Sequence, residues 1–400
     1  LKKTLALVLA LVMVLGLAAC GTTSPAPTTA APATTAPATT APATTAPATT
    51  APATTAPAST NGIDIALITD VGNIDDHSFN QGTWEGVKQY ADANGKVAKY
   101  FRPTEDSDQA RVEAMTSAVD AGAKVIVTPG FLFGAAVAQM QAAYPNVMFL
   151  GIDMTAFDLG NNADGTPATP AANTSLIVFQ EEQAGYLAGY AIVMDGYTKL
   201  GFIGGINVPA VIRYGYGFIQ GAEQAATDMG LAKGTVTMNY WYSMTFAASD
   251  DVKNTADSWY TSGTQVIFSC GGSIYSSIVA AAESQNAKVI GVDVDQSSAS
   301  PVIITSAMKE LGNSVVKALT DLFNNGGTWP SAYAGQVQNL GAKDGMVGLP
   351  TTADAWRFAT YTVDDYNTLF AKLASGSVVV DNSTGDTPPA TTIVQVKVIQ

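Results

Sequence analysis

Two doubly wound α/β lobes facing a shared cleft are the architecture predicted for this 400-residue chain. Short apolar, β-branched runs alternate with helical stretches, the signature of parallel sheets. The alternation lapses in a loop-rich stretch over residues 158–173 and then restarts. Strands in both halves end in Asp or Gly pairs, the positions at which open α/β sheets hold ligands.

The first half opens with a strand over 63–69 that stops at Asp70-Val71-Gly72, followed by a helix over 79–94. A strand over 123–128, a helix over 134–144 and a strand over 147–152 follow, each short apolar run reading as a buried strand. The second half has a helix over 181–194, a strand over 199–203, a helix over 215–229 and strands over 235–240 and 265–268. A helix over 275–285 and a strand over 288–293 complete it. A strand-like run over 302–306 returns the chain to the first lobe near Ser300. The expected domains are residues 61–172 with 300–330 for the N-terminal lobe, and 173–299 with 331–400 for the C-terminal lobe.

Ahead of the lobes lie two segments that cannot build a core. Lys2-Lys3, an apolar run over 5–17 and Leu17-Ala18-Ala19-Cys20-Gly21 read as a secretory signal over residues 1–20, closed by a lipobox. Lipidation of Cys20 would anchor the chain to the cell membrane at its extracytoplasmic face, two acyl chains giving ~0.8 kcal/mol per buried CH₂. Residues 21–60 repeat Ala, Pro and Thr with a period of five and read as a disordered, polyproline-biased stalk. At ~3.1 Å per residue, such a stalk reaches roughly 120 Å.

Composition narrows the function. With 19 Lys and Arg against 33 Asp and Glu the formal charge is −14, which argues against nucleic-acid binding through a basic face. One histidine, His77, rules out a multi-histidine metal site, and Cys20 and Cys270 are the only cysteines. Asp293-Val294-Asp295 lacks the glycine and distal glutamate of a calcium loop. His77-Ser78 has no orienting partner for nucleophilic catalysis. The glycines of 215–221 fit a dinucleotide fingerprint poorly and helix packing well.

The strand ends remain as the candidate site. Asp70, Asp153 and Asp293 offer carboxylates that accept hydrogen bonds in pairs, as vicinal hydroxyls require; capping a turn is the competing role. Phe79 offers a stacking face or a hydrophobic staple, and Asn80 reads a base edge or caps its helix. Gly271-Gly272 follow the strand ending at 268. Lys309 brings a cation to the acidic cleft or is solvated at the surface, and Cys270 is a small apolar side chain or a cleft contact.

In order, the lipobox, Ile68-Thr69-Asp70-Val71-Gly72, Asp75-Asp76-His77-Ser78-Phe79-Asn80-Gln81-Gly82, Gly151-Ile152-Asp153, Gly291-Val292-Asp293-Val294-Asp295-Gln296 and Thr305-Ser306-Ala307-Met308-Lys309 resemble the BMP family of PnrA-like lipoproteins over residues 62–350. The resemblance implies a type I periplasmic-binding-protein fold that captures purine nucleosides for an ABC importer. It implies no catalysis; a monomer without a cofactor is the expected state. It also implies that Asp70, Asn80 and Phe79 hold the base while Asp153, Asp293 and Lys309 hold the ribose. For a second stacking aromatic it points to Phe246, with Trp241 as the alternate. The rival readings are a same-fold sugar or autoinducer receptor, a surface nucleoside hydrolase and an adhesive lipoprotein.

Overall fold

The computed structural model describes residues 62–162 and 164–399; the signal segment, Cys20 and the repeat stalk lie outside the described residues. In chain order the elements are β1 (Ile65–Ile68), α1 (Phe79–Ala93), β2 (Ala98–Phe101), α2 (Asp108–Asp120), β3 (Val125–Pro129), α3 (Gly134–Ala143), β4 (Met148–Ile152) and β5 (Thr174–Phe179). Then come α4 (Glu181–Met194), β6 (Lys199–Gly204), α5 (Pro209–Asp228), β7 (Thr237–Tyr242), α6 (Asp250–Thr261), β8 (Val266–Cys270), α7 (Ile274–Gln285), β9 (Lys288–Asp293) and β10 (Ile303–Lys309). The last are α8 (Leu311–Asn324), β11 (Val337–Leu340), β12 (Val347–Gly348), α9 (Val363–Ala374) and β13 (Gln395–Val398).

Every residue of β1, β3, β4 and β8 is buried, as strands covered by helices on both faces require. In β1 the alternation sends Ile65 and Leu67 to one core and Ala66 and Ile68 to another. The first sheet has the order β11-β5-β4-β3-β1-β2 and is parallel throughout. The second has the order β12-β10-β9-β8-β6-β7-β13, with only β12 antiparallel to its neighbour.

The chain passes between the lobes after β5, after β10 and after β11. This corrects the expected boundaries. The strand after Val302 belongs to the second sheet, because β10 pairs in parallel with β9 from Ile303↔Val289 to Met308↔Asp293. The return to the first lobe comes after Lys309, where α8 packs on α1 so tightly that a Cβ on Gly86 would lie 2.6 Å from the Gly312 Cα. β5 and β11, expected in the second lobe, pair with each other in the first sheet.

Helix packing also explains the glycines of 215–221. A Cβ on Gly217 would meet the Glu182 carbonyl oxygen at 2.0 Å, and one on Gly221 the Tyr186 oxygen at 2.0 Å. The backbones of α4 and α5 therefore touch, and side chains at those positions would force them apart. α5 itself starts earlier than expected, with Pro209 in its first turn.

Candidate functional site

The carboxyl ends of β4, β9 and β10 place three charged side chains together. Asp153 and Asp293 end their strands with left-handed backbones, φ 52° and φ 67°, a conformation that a non-glycine residue holds at a cost and that concentrates at functional sites. Between them sits Lys309, buried, with its Nζ ion-paired to Asp153 Oδ2 and 3.2 Å from Asp293 Oδ1. The ammonium also lies 4.7 Å from the Phe79 ring centroid, within cation–π range. Burial opposes its charge, but Asp153, Asp293 and Glu181 together hold the Lys309 pKa above its ordinary value. Burial raises the Asp153 carboxyl to about 6, with Lys309 acting in the opposite direction and Glu181 and Asp293 adding to the rise.

A second group forms where β1 runs into α1. Asp70 Oδ1 accepts from the Gly72 backbone N–H and from Asn80 Nδ2, both at 2.7 Å, while the Asp70 N–H donates to Asn80 Oδ1 at 3.2 Å. Asn80 Nδ2 also donates to Asp76 Oδ2 at 3.0 Å. The Asn80 amide is thus buried and engaged on both donors, and it orients Asp70. The other Asp70 oxygen lies against Gly130, beside the Phe79 ring. Burial raises the Asp70 carboxyl to about 6 despite those hydrogen bonds.

The two expected aromatics of the second lobe part company. Phe246 lies across the glycines at the strand ends: a Cβ on Gly205 would fall 2.3 Å from its ring, and one on Gly271, at φ 144°, would fall 2.8 Å away. Gly271-Gly272 thereby provide the floor on which that ring rests. Trp241 points to the opposite face of β7 and packs with the cluster of Ile203, Val252 and Trp259 beneath α6 and α7. Cys270 is buried, and burial pushes its thiol well above the ordinary range.

Several residues of the site escape a reading by spacing. Asp76 caps α1 by accepting the N–H groups of Ser78, Asn80 and Gln81 at 2.9–3.1 Å. Ser78 is thereby released to donate to Asp293 Oδ2 of the other lobe at 2.6 Å, and Gln296 Nε2 donates to the His77 carbonyl at 2.8 Å. Glu181, fully buried at the start of α4, accepts from Arg213 Nε at 2.6 Å. Burial and the neighbouring Glu181 raise Glu182 to about 7. The acidic pair opening α4 was visible in sequence, but nothing there shows that Glu181 is buried and acts on Lys309. Among the described residues no group of three or more His, Cys, Asp or Glu could hold a metal ion, and no helix is long and apolar enough to cross a membrane.

The two-sheet arrangement has counterparts among known proteins. A crystal structure of ABC transporter solute-binding proteins from Aeropyrum pernix K1 superposes with a TM-score of 0.66 at 21% identity, covering 81% of this chain and 94% of that one. The fold is accordingly that of the type I periplasmic solute-binding proteins. The ABC transporter nucleoside-binding protein BmpA of Lactococcus lactis subsp. cremoris is 27% identical over 307 residues, 71% of this chain and 80% of that protein. The CD4+ T-cell-stimulating antigen of Listeria monocytogenes serovar 1/2a is 27% identical over 243 residues, and the match spans 58% of this chain and 63% of the antigen. The profile described as ABC transporter substrate-binding protein PnrA-like matches residues 63–373, so the chain belongs to the Bmp family of transporter substrate-binding proteins, whose members bind a ligand for transport and are not enzymes.

Proposed function

We propose that the protein is a lipid-anchored receptor for purine nucleosides that closes on its ligand and presents it to the permease of an ABC importer. The observation that carries this reading is the buried Asp153–Lys309–Asp293 group lying against the Phe79 ring. Hydroxyl-binding carboxylates beside a flat apolar face suit a molecule with a diol at one end and an aromatic ring at the other. Phe79 from the first lobe and Phe246 from the second supply stacking faces, and Asp70, held by Asn80, supplies an acceptor at the base end. One chain provides both walls, so a monomer suffices.

The resemblance to a relative named for nucleoside binding supports the same ligand class. The signal segment and Cys20 support anchoring at the outer face of the cell membrane, with the repeat as a spacer. Ligand binding raises the melting temperature by mass action, so thermal unfolding with inosine, guanosine or ribose tests the reading. Stabilisation by the nucleosides and none by ribose is the expected result; stabilisation by ribose alone would favour a sugar receptor.

A further inference from the structure

Three buried side-chain atoms near Lys309 have no hydrogen-bond partner: Asp153 Oδ1, Glu181 Oε1 and the Tyr214 hydroxyl. They come from the end of β4, the first residue of α4 and the body of α5, three separate elements. Lys309 Nζ lies 5.6 Å from the Tyr214 ring centroid, and Glu181 is among the carboxylates that act on Lys309. Leaving such an atom unpaired costs ~1–3 kcal/mol, and native folds leave few of them.

We propose that Tyr214 and Glu181 are ligand-specificity residues of the cleft, their hydroxyl and Oε1 forming, with Asp153 Oδ1, a floor that hydrogen-bonds the hydroxyl groups of the ligand's sugar. This rests on the nucleoside reading and extends it to residues outside the aspartates and lysine of the strand ends. Arg213 fixes the carboxylate: its Nε bonds Glu181 Oε2 at 2.6 Å, while Oε1 is left without a partner. Carboxylate oxygens accept and the phenol both donates and accepts, so a neutral polyol satisfies all three atoms. A phosphate does not, because the floor already sets Asp153, Asp293 and Glu181 against only Lys309 and Arg213. The ligand class that fits is therefore the unphosphorylated nucleoside.

Tyr214→Phe isolates the claim. The hydroxyl it removes has no partner within the protein, so the ligand-free variant should melt at or above the wild-type temperature, while its affinity for inosine falls at least fivefold. Glu181→Gln, which keeps the volume and removes the charge, should also weaken inosine. In the wild type, inosine 5′-monophosphate should bind at least a hundredfold more weakly than inosine. Inosine binding that is equal in the wild type and Tyr214→Phe would overturn the inference and leave the nucleoside reading standing. A lower melting temperature of ligand-free Tyr214→Phe would also overturn it, by showing that the hydroxyl serves the fold. A wild type silent to every nucleoside would overturn the nucleoside reading, and this inference with it.

Discussion

Asp153 and Asp293 are counterparts: each ends a strand reading Gly-apolar-Asp, each holds a left-handed backbone, and both carboxylates are ion-paired to the same Lys309. One belongs to the first lobe and the other to the second. Lys309, the last residue before the chain returns to the first lobe, therefore ties the two strand ends together. Ser78, reaching Asp293 from α1, reinforces the same junction.

Removing the cation should expose its importance to the fold. Lys309→Met leaves Asp153, Asp293 and Glu181 buried around an apolar side chain, and breaking a buried pair in this way costs about 3–5 kcal/mol. Burial raises the Asp153 carboxyl and Lys309 opposes that rise, so without Lys309 Asp153 is held protonated more firmly in the folded state. Its contribution is then present at low pH and lost as pH rises. Denaturant unfolding should show the deficit at pH 7 and partial recovery at pH 5; an equal deficit at both would show that the ion pairs are not its source.

Acidity should also act on binding. Burial raises Asp70 and Asp153 to about 6 from an ordinary 3.8. Between about pH 4 and 6 these two carboxyls thus hold more protons in the folded protein than in the unfolded chain, so they contribute stability at low pH that is lost as pH rises through 6. Binding runs the other way, because an ionised Asp153 is the better hydroxyl acceptor. Affinity for a nucleoside should fall roughly tenfold from pH 7 to pH 5, and Asp153→Asn should flatten that profile, with Asp70 accounting for what slope is left. Calorimetry across this range provides the check, and a flat wild-type profile would contradict the account.

Gly271 tests the aromatic floor. Alanine there would be strained at φ 144° and would place its Cβ 2.8 Å from the Phe246 ring, so Gly271→Ala should cost about 1–3 kcal/mol of stability. Displacing a stacking ring should also weaken nucleoside binding at least fivefold, stacking on a base being worth ~1–3 kcal/mol. Trp241→Phe, on the other face of β7, should leave affinity unchanged. Titration of both variants distinguishes the two aromatics.

The segment beyond the family match is a strap on the second lobe. β13 pairs with the edge of β7, Val394 is buried, and Glu223 on α5 accepts the N–H groups of Thr392, Ile393 and Val394. Deleting residues 376–400 should uncover the β7 edge and lower the melting temperature by several degrees, with ligand affinity unchanged. A fall in affinity would show that the strap reaches the cleft.

The sequence declares central strands more clearly than edges. β6, β8 and β9 are compact apolar runs and lie within two residues of their expected bounds. The half-exposed edge strand β2 and the alternately exposed β11 offer no such run. The opening Thr174-Ser175 disguises β5 as loop, although both residues are buried. α2 buries mostly small residues and Arg111, whereas α8 carries a plain stripe of Leu311, Val315, Ala318, Leu319 and Leu322 that the expected elements omitted.

In the site, the strand-end aspartates follow from the parallel α/β pattern, since the topology brings strand ends together. The proximity of the Tyr214 ring to Lys309 does not, because which face of α5 turns that way depends on how tightly α4 and α5 cross. The Ser78–Asp293 bond joins residues 215 apart, and local spacing carries no trace of it.

The central claim is that the cleft selects a whole purine nucleoside. Its most direct test is calorimetric titration of protein unfolded and refolded to release carried-over ligand, with adenosine, guanosine, inosine, cytidine, ribose and adenine in parallel. The account predicts submicromolar binding of at least one purine nucleoside, with ribose and adenine both weaker by a factor of a hundred or more. Ribose binding as tightly as the nucleosides, or silence toward all six, would contradict it.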